Sequence, residues 1–240
     1  MGYDLVVFDA DHHPPIAEVK QQGTKVLAYL SLAELDPHRD YTERFLSEPG
    51  MKIGDNERWK SHVIDIRKPQ WQHFVANEWL PTMLAKGFDG IFIDTIDTAL
   101  EVQRLDNTYT GTDQAVRVMV QQIRRNMPID KLIMVNRGFG ILPDIAADID
   151  IILAESILVD AMTPGRPFFP VNMYRQYVNK LQSLRQKYSH LSIFTLDYPE
   201  TIDKTAWLQI CKEHKKQGFV PYISTIDLHQ IKPPFERCGY

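Results

Sequence analysis

The chain has 240 residues, the size of one large domain or two small ones, and single-domain α/β barrels commonly run to this length. Its 44% hydrophobic and 24% charged residues allow a sizeable core and do not indicate disorder. A net charge of -4 with no basic run argues against a nucleic-acid surface, no apolar stretch is long enough to span a membrane, and the two cysteines, Cys211 and Cys238, make neither a disulfide framework nor a zinc site.

No signal peptide opens the sequence; a first apolar run starts at Tyr3, which reads as a mature form or a trimmed domain. Residues 4–8 form that run, ending at Asp9. Pro14 and Pro15 start a short helix that Gly23 closes. A second strand, 25–30, ends in Ser31 and Glu34. Residues 36–60 read as one long charged loop holding Arg39, Tyr41, Arg44 and Trp59, and loops of this length are usually functional. A short third strand, 62–66, carries Asp65. Residues 69–85 have helical apolar spacing at Trp71, Phe74, Val75, Trp79 and Met83.

The central strand is 88–93, opened by a Gly/Asp turn and ended by Asp94, with Asp97 three residues on. Its uninterrupted apolar character is that of a strand buried on both faces, as in parallel sheets. Asp94 stands where charge first appears, although Asp is also a favoured helix N-cap. A helix at 113–126 follows, then a fifth strand, 131–135, ending in Asn136 and Arg137. A short helix near 139–147 leads to strand six, 150–154, which ends in Glu155. The long helix 170–188 precedes strand seven, 192–196, which ends in Asp197 and Tyr198. Helix 201–217 precedes strand eight, 219–223, which ends in Ser224, and the tail 232–240 lies across the surface.

Eight strands alternating with helices predict an α/β chain, a single (β/α)8 TIM barrel over residues 1–240. That topology gathers the strand ends on one face, and there the sequence is mostly acidic or polar. Glycoside hydrolysis needs two carboxyl groups flanking one bond, one ionised and one protonated. Asp94 and Glu155 are the natural pair. Tyr29, Trp59, Tyr109, Tyr198 and Tyr222 are candidates to stack on sugar rings.

Five stretches together resemble glycoside hydrolase family 114, the endo-α-1,4-polygalactosaminidase family. They are 26–34 through Tyr29, Ser31 and Glu34; 87–97 through Asp94 and Asp97; Asn136-Arg137-Gly138; Ala154-Glu155-Ser156; and Leu196-Asp197-Tyr198. The resemblance runs over almost the whole chain, in the same order. One departure is Ala33, where the family usually has Gly. The resemblance implies a (β/α)8 barrel that is extracellular or periplasmic, with Asp94 and Glu155 as the catalytic carboxylates. The expected activity is endo-cleavage of an α-1,4-linked galactosamine-rich polysaccharide. By analogy with other α-galactoside barrels, Asp94 is the nucleophile and Glu155 the acid, then the base. Asp9, Glu34, Asp97 and Asp197 are expected to attract a cationic sugar. Tyr29, Ser31, Asn136, Arg137, Tyr198 and Tyr222 complete the subsites. Strands four and six are separated by one strand, so inward-leaning side chains predict retention of configuration. No cofactor and no metal are expected, and a monomer is.

Two other readings compete. Asp9-Ala10-Asp11 after an apolar strand imitates the nucleophile motif of metal-dependent phosphohydrolases, with Asp9 and Asp11 on the metal, but no Gly-rich phosphate loop accompanies it. A carbohydrate-binding barrel without catalysis would present the same cup, and it would bind an amino-sugar polymer without turnover.

Overall fold

A computed structural model describes residues 2–160, 168–199, 204–228 and 238, apart from the side chains of 204–206. The chain divides into two compact units, Leu5–Ile149 on the one hand and Met1–Asp4 with Asp150–Tyr240 on the other.

In the first unit, β1 (Leu5–Phe8) and β2 (Lys25–Ser31) are followed by β3 (Glu34–Leu35), β4 (Lys52–Asn56) and β5 (Ser61–Ile64), then by β6 (Gly90–Asp94) and β7 (Leu132–Asn136). β1, β2, β6 and β7 lie side by side in that order, all parallel. β6 is buried along its length until Asp94, as a strand covered on both faces must be. Gly90 is required there, because a Cβ would lie 2.0 Å from the Leu132 carbonyl oxygen of β7.

The expected third barrel strand is where the structure departs from the sequence reading. Residues 61–64 form β5, which pairs antiparallel with both β3 and β4. The result is a small three-stranded sheet in the order β3-β5-β4, growing from the chain just beyond β2. The stretch 36–60 is also more ordered than a loop: it holds the helix Thr42–Leu46 and β4.

Residues 69–85 are helical as their spacing predicts, and Trp71, Phe74, Val75, Trp79 and Met83 are all buried. The middle turn, Val75–Trp79, is a π-helix between two α-helical segments. Pro81 has no N–H and its ring crowds the carbonyl four residues back; the widened turn absorbs both. Helix Thr112–Asn126 buries Ala115, Val116, Met119, Val120 and Ile123 at helical spacing.

In the second unit, β8 (Ile151–Glu155), β9 (Ser192–Asp197) and β10 (Val220–Ile223) are parallel neighbours in that order. Helices Val171–Lys187 and Lys204–Lys216 connect them. The two cysteines, from which the sequence predicts neither a disulfide framework nor a zinc site, do form one disulfide, between Cys211 on the second helix and Cys238. The rest of the tail 232–240, and the expected helix start at 201–203, lie outside the described residues. Among the described residues no helix is long and apolar enough to cross a membrane.

Candidate active site

Asp94 closes β6 and faces Ser31, the last residue of β2, in the strand register. Its carboxylate is held from both neighbouring strands. The Tyr29 hydroxyl of β2 donates to Oδ2 at 2.7 Å, and the Asn136 side-chain amide of β7 donates to Oδ1 at 2.9 Å. The phenol of Tyr29 is pushed far above its usual range, first by burial and then by the negative charge of Asp94. It therefore stays a donor at any physiological pH. Asp94 itself remains partly exposed, so the carboxylate is oriented and still reachable.

Directly after Asp94 the backbone turns left-handed at Thr95, φ +61°. A β-branched residue rarely adopts this region, and holding it there costs on the order of 1–3 kcal/mol. The Thr95 hydroxyl accepts from the Ala33 N–H at 2.8 Å and lies 3.2 Å from the Ser31 hydroxyl. The same conformation follows the strand-end residue twice more, at Arg137 after Asn136 and at Ser156 after Glu155, with φ +51° and +49°. Strain of this kind clusters at functional sites.

The other expected acids of the first unit all have cationic or hydrogen-bonding partners. Asp97 accepts from Arg137 Nε at 2.7 Å and from the Gly138 N–H at 3.0 Å, yet both side chains stay partly exposed. Glu34 is 4% exposed and accepts from Ser61, from Thr98 at 2.6 Å and from Asn56. It thus ties the β4–β5 hairpin to the helix Ile96–Leu105 that follows Asp94. Asp9, at the end of β1, is gripped by Arg39, which also reaches Asp11 at 2.8 Å. Partial burial pushes the Asp9 carboxyl up, but Arg39 and the N–H groups of Asp11 and His12 outweigh this and hold it well below the usual carboxylate range. The two carboxylates that a phosphohydrolase would place on a metal are therefore engaged by one guanidinium, and Lys86 adds a second cation to Asp11.

In the second unit, Glu155 closes β8 and is partly exposed. The Tyr198 hydroxyl donates to its Oε1 at 2.6 Å. Asp197 closes β9 but is 1% exposed. Its Oδ2 lies 2.7 Å from His214 Nε2, and its Oδ1 accepts from the N–H groups of Val159 and Leu158 at 2.8 and 3.3 Å. Tyr222, on β10, packs edge-on against Tyr3.

Thus Asp94, Glu155, Asp9, Asp97, Arg137, Ser31, Tyr29 and Tyr222 present some surface, whereas Glu34, Asn136, Asp197 and Tyr198 are buried. Substrate contact is not what the geometry offers Glu34 and Asp197, because every carboxylate oxygen is already bonded within the protein. The sequence reading missed Thr95, Arg39 and His214 as site-building residues. Arg39 had the one available signal, its place in a long loop of mixed charge.

Parallel strands that end in oriented, partly exposed carboxylates, with amides and tyrosines beside them, fit a glycosidase of the α/β class. The chain belongs to glycoside hydrolase family GH114, whose family model matches residues 1–239. An uncharacterized protein of Deinococcus radiodurans is 33% identical over 95% of this chain and 75% of its own length. Among solved structures, the glycoside hydrolase domain of PelA from Pseudomonas aeruginosa matches with a TM-score of 0.78 and 26% identity, over 96% of this chain and 90% of that one. Aspergillus fumigatus Ega3, solved in complex with galactosamine, matches with a TM-score of 0.70 over 94% of this chain and 85% of that one; at 14% identity this likeness concerns the fold alone. The fold class is that expected, α/β of the (β/α)8-barrel type.

Proposed function

We propose that residues 1–240 act as one endo-glycosidase domain on an α-1,4-linked, galactosamine-rich polysaccharide, with retention of configuration. The observation that carries this reading is Asp94, held by Tyr29 and Asn136 at the end of β6 in a chain of family GH114. The substrate class is the one that the resemblance to the endo-α-1,4-polygalactosaminidase family implies.

In this mechanism Asp94 attacks the anomeric carbon, and the bonds to its two oxygens fix the carboxylate plane. Glu155 gives its proton to the departing glycosidic oxygen, then takes one from the water that releases the sugar from Asp94. Tyr198 fixes the Glu155 side chain through its hydroxyl. Ser31, Tyr29, Asp97, Arg137, Asp9 and Tyr222 form the subsite surface, Asp9 and Asp97 acting together with their arginine partners. Glu34, Asn136 and Asp197 serve as supports. A cationic sugar is then drawn chiefly by Asp94, since Asp9 and Asp97 are paired with arginines and Glu155 carries its proton until the bond breaks. We place the enzyme in an extracellular or periplasmic setting, where a disulfide such as Cys211–Cys238 persists.

The test is NMR of the first-formed product from partly deacetylated α-1,4-galactosamine polymer. A retained anomer is expected. An inverted anomer is incompatible with a single glycosyl-enzyme intermediate on Asp94 and overturns that step.

A further inference from the structure

Asp197 and His214 are the most deeply buried ionisable pair among the described residues, each 1% exposed, and the mechanism above leaves them no chemical task. Their contacts give them one. After Glu155 the chain turns left-handed at Ser156, whose N–H is held by the Leu196 carbonyl at 2.7 Å. It then buries Ile157 and Val159. The N–H groups of Leu158 and Val159 point at Asp197 Oδ1. Tyr198, the next residue after Asp197, holds Glu155 Oε1. Asp197 and Tyr198 therefore grip the same short segment at both ends: one fixes the backbone beyond Glu155, the other fixes its carboxylate.

His214 completes the arrangement from helix Lys204–Lys216. A carboxylate only accepts, so His214 Nε2 must carry a proton toward Asp197 Oδ2. In the neutral ring Nδ1 is then an acceptor, and the Tyr174 hydroxyl lies 3.4 Å from it. The groups facing the pair are thus Tyr174, with Glu213 near enough to act on the Tyr174 phenol. Both oxygens of Asp197 are committed, and a buried carboxylate with donors on each oxygen is a rigid anchor.

We infer that Asp197 and His214 are positioning residues, which set the place of Glu155 by clamping the backbone at 158–159. This rests on the assignment of Glu155 as the acid and base. Displacing a catalytic group by about 1 Å costs on the order of 100-fold in rate.

The experiment uses the full chain with Asp197→Asn, His214→Leu and His214→Gln. Asn keeps the size of Asp197 but not its charge. Gln retains a donor near the Nε2 position, whereas Leu does not. Steady-state kinetics on the galactosamine polymer and hydrogen exchange of the 156–160 amides are read together, with melting temperature as the check on folding. Expected are a loss of about 10- to 100-fold in kcat for Asp197→Asn and His214→Leu, with little change in KM, and near-wild-type rates in His214→Gln. Exchange at 158–159 should accelerate in the first two variants and not in the third. Unchanged exchange at 158–159 in Asp197→Asn overturns the clamp, whether or not the polymer is a substrate. Faster exchange with an unchanged kcat overturns its link to Glu155. A wild-type enzyme inert on every galactosamine polymer instead removes the substrate assignment and leaves the exchange test standing.

Discussion

Tyr29→Phe isolates the grip on Asp94. The variant removes one hydroxyl and leaves a ring of the same shape between β2 and β6. What is lost is a 2.7 Å hydrogen bond to a carboxylate, and hydrogen bonds to charged groups contribute about 1.5–3 kcal/mol. Asp94 keeps its second donor, Asn136, and is partly exposed, so water can replace part of the bond in the resting enzyme. In the reaction water cannot, because the sugar occupies that side. The carboxylate also regains full charge as the glycosyl-enzyme bond breaks, which is when a fixed donor helps most. Taking about 2 kcal/mol gives a roughly 30-fold fall in kcat, the constant that includes release of the sugar from Asp94, with little change in melting temperature. The assay is initial-rate kinetics of reducing-end release from galactosamine polymer, beside thermal melting. A folded Tyr29→Phe enzyme within about threefold of wild type would refute the claim that this bond orients a working nucleophile.

Other expectations follow from the same contacts. The Cys211–Cys238 bridge closes a sequence separation of 27 residues; chain entropy assigns such a loop about 3.5 kcal/mol, so reduction should lower the melting temperature by roughly 7 °C for a chain of this size, and two free thiols in the native protein would contradict the pairing. Asp89, at the start of the β6 stretch, is pushed up by burial but held below the usual carboxylate range by Lys20 at 2.7 Å, the Val26 N–H and Lys131. Its folded pKa is depressed, so its contribution is full above about pH 4 and is lost as pH falls through the folded value; the stability gap between wild type and Asp89→Asn should shrink on acidification, and a gap that widens in melts from pH 7 to 2 would refute the sign. Trp59 is 56% exposed at the turn of the β4–β5 hairpin, which Glu34 ties to the helix after Asp94; Trp59→Ala should raise KM for long chains and leave trisaccharide cleavage unchanged, and equal effects on both lengths would exclude a distant stacking subsite.

The parts of this site that lie in one strand could be read from the sequence. Residues 88–93 announce a buried strand by an unbroken apolar run, and Asp94 is where that run stops. Glu155 and Asp197 were visible in the same way. The direction of a strand was not: residues 62–66 have the same apolar content whether they pair parallel or antiparallel, and their partners in β3 and β4 are too short to give a periodic signal. Partnerships across the chain were equally silent. Nothing in the residues near Asp9 points to Arg39, which is 30 positions away, or from Asp197 to His214, 17 positions on. Those contacts separate acids that stay reachable from acids that brace the structure. Thr95 was hidden for the opposite reason, because local preference points away from a left-handed β-branched residue and only the surrounding bonds to Ala33 and Ser31 hold it there.

The central claim is that Asp94 and Glu155 cleave a galactosamine-rich chain. Mass spectrometry of the products from partly deacetylated α-1,4-galactosamine polymer, with wild type beside Asp94→Asn and Glu155→Gln, tests it most directly. Both side chains are partly exposed strand-end groups and not core contacts, so both variants should fold. Wild type should release a ladder of internal oligosaccharides, and each variant should lose nearly all of it. Substantial turnover in either folded variant, or a wild type that binds the polymer and releases nothing, would contradict the claim.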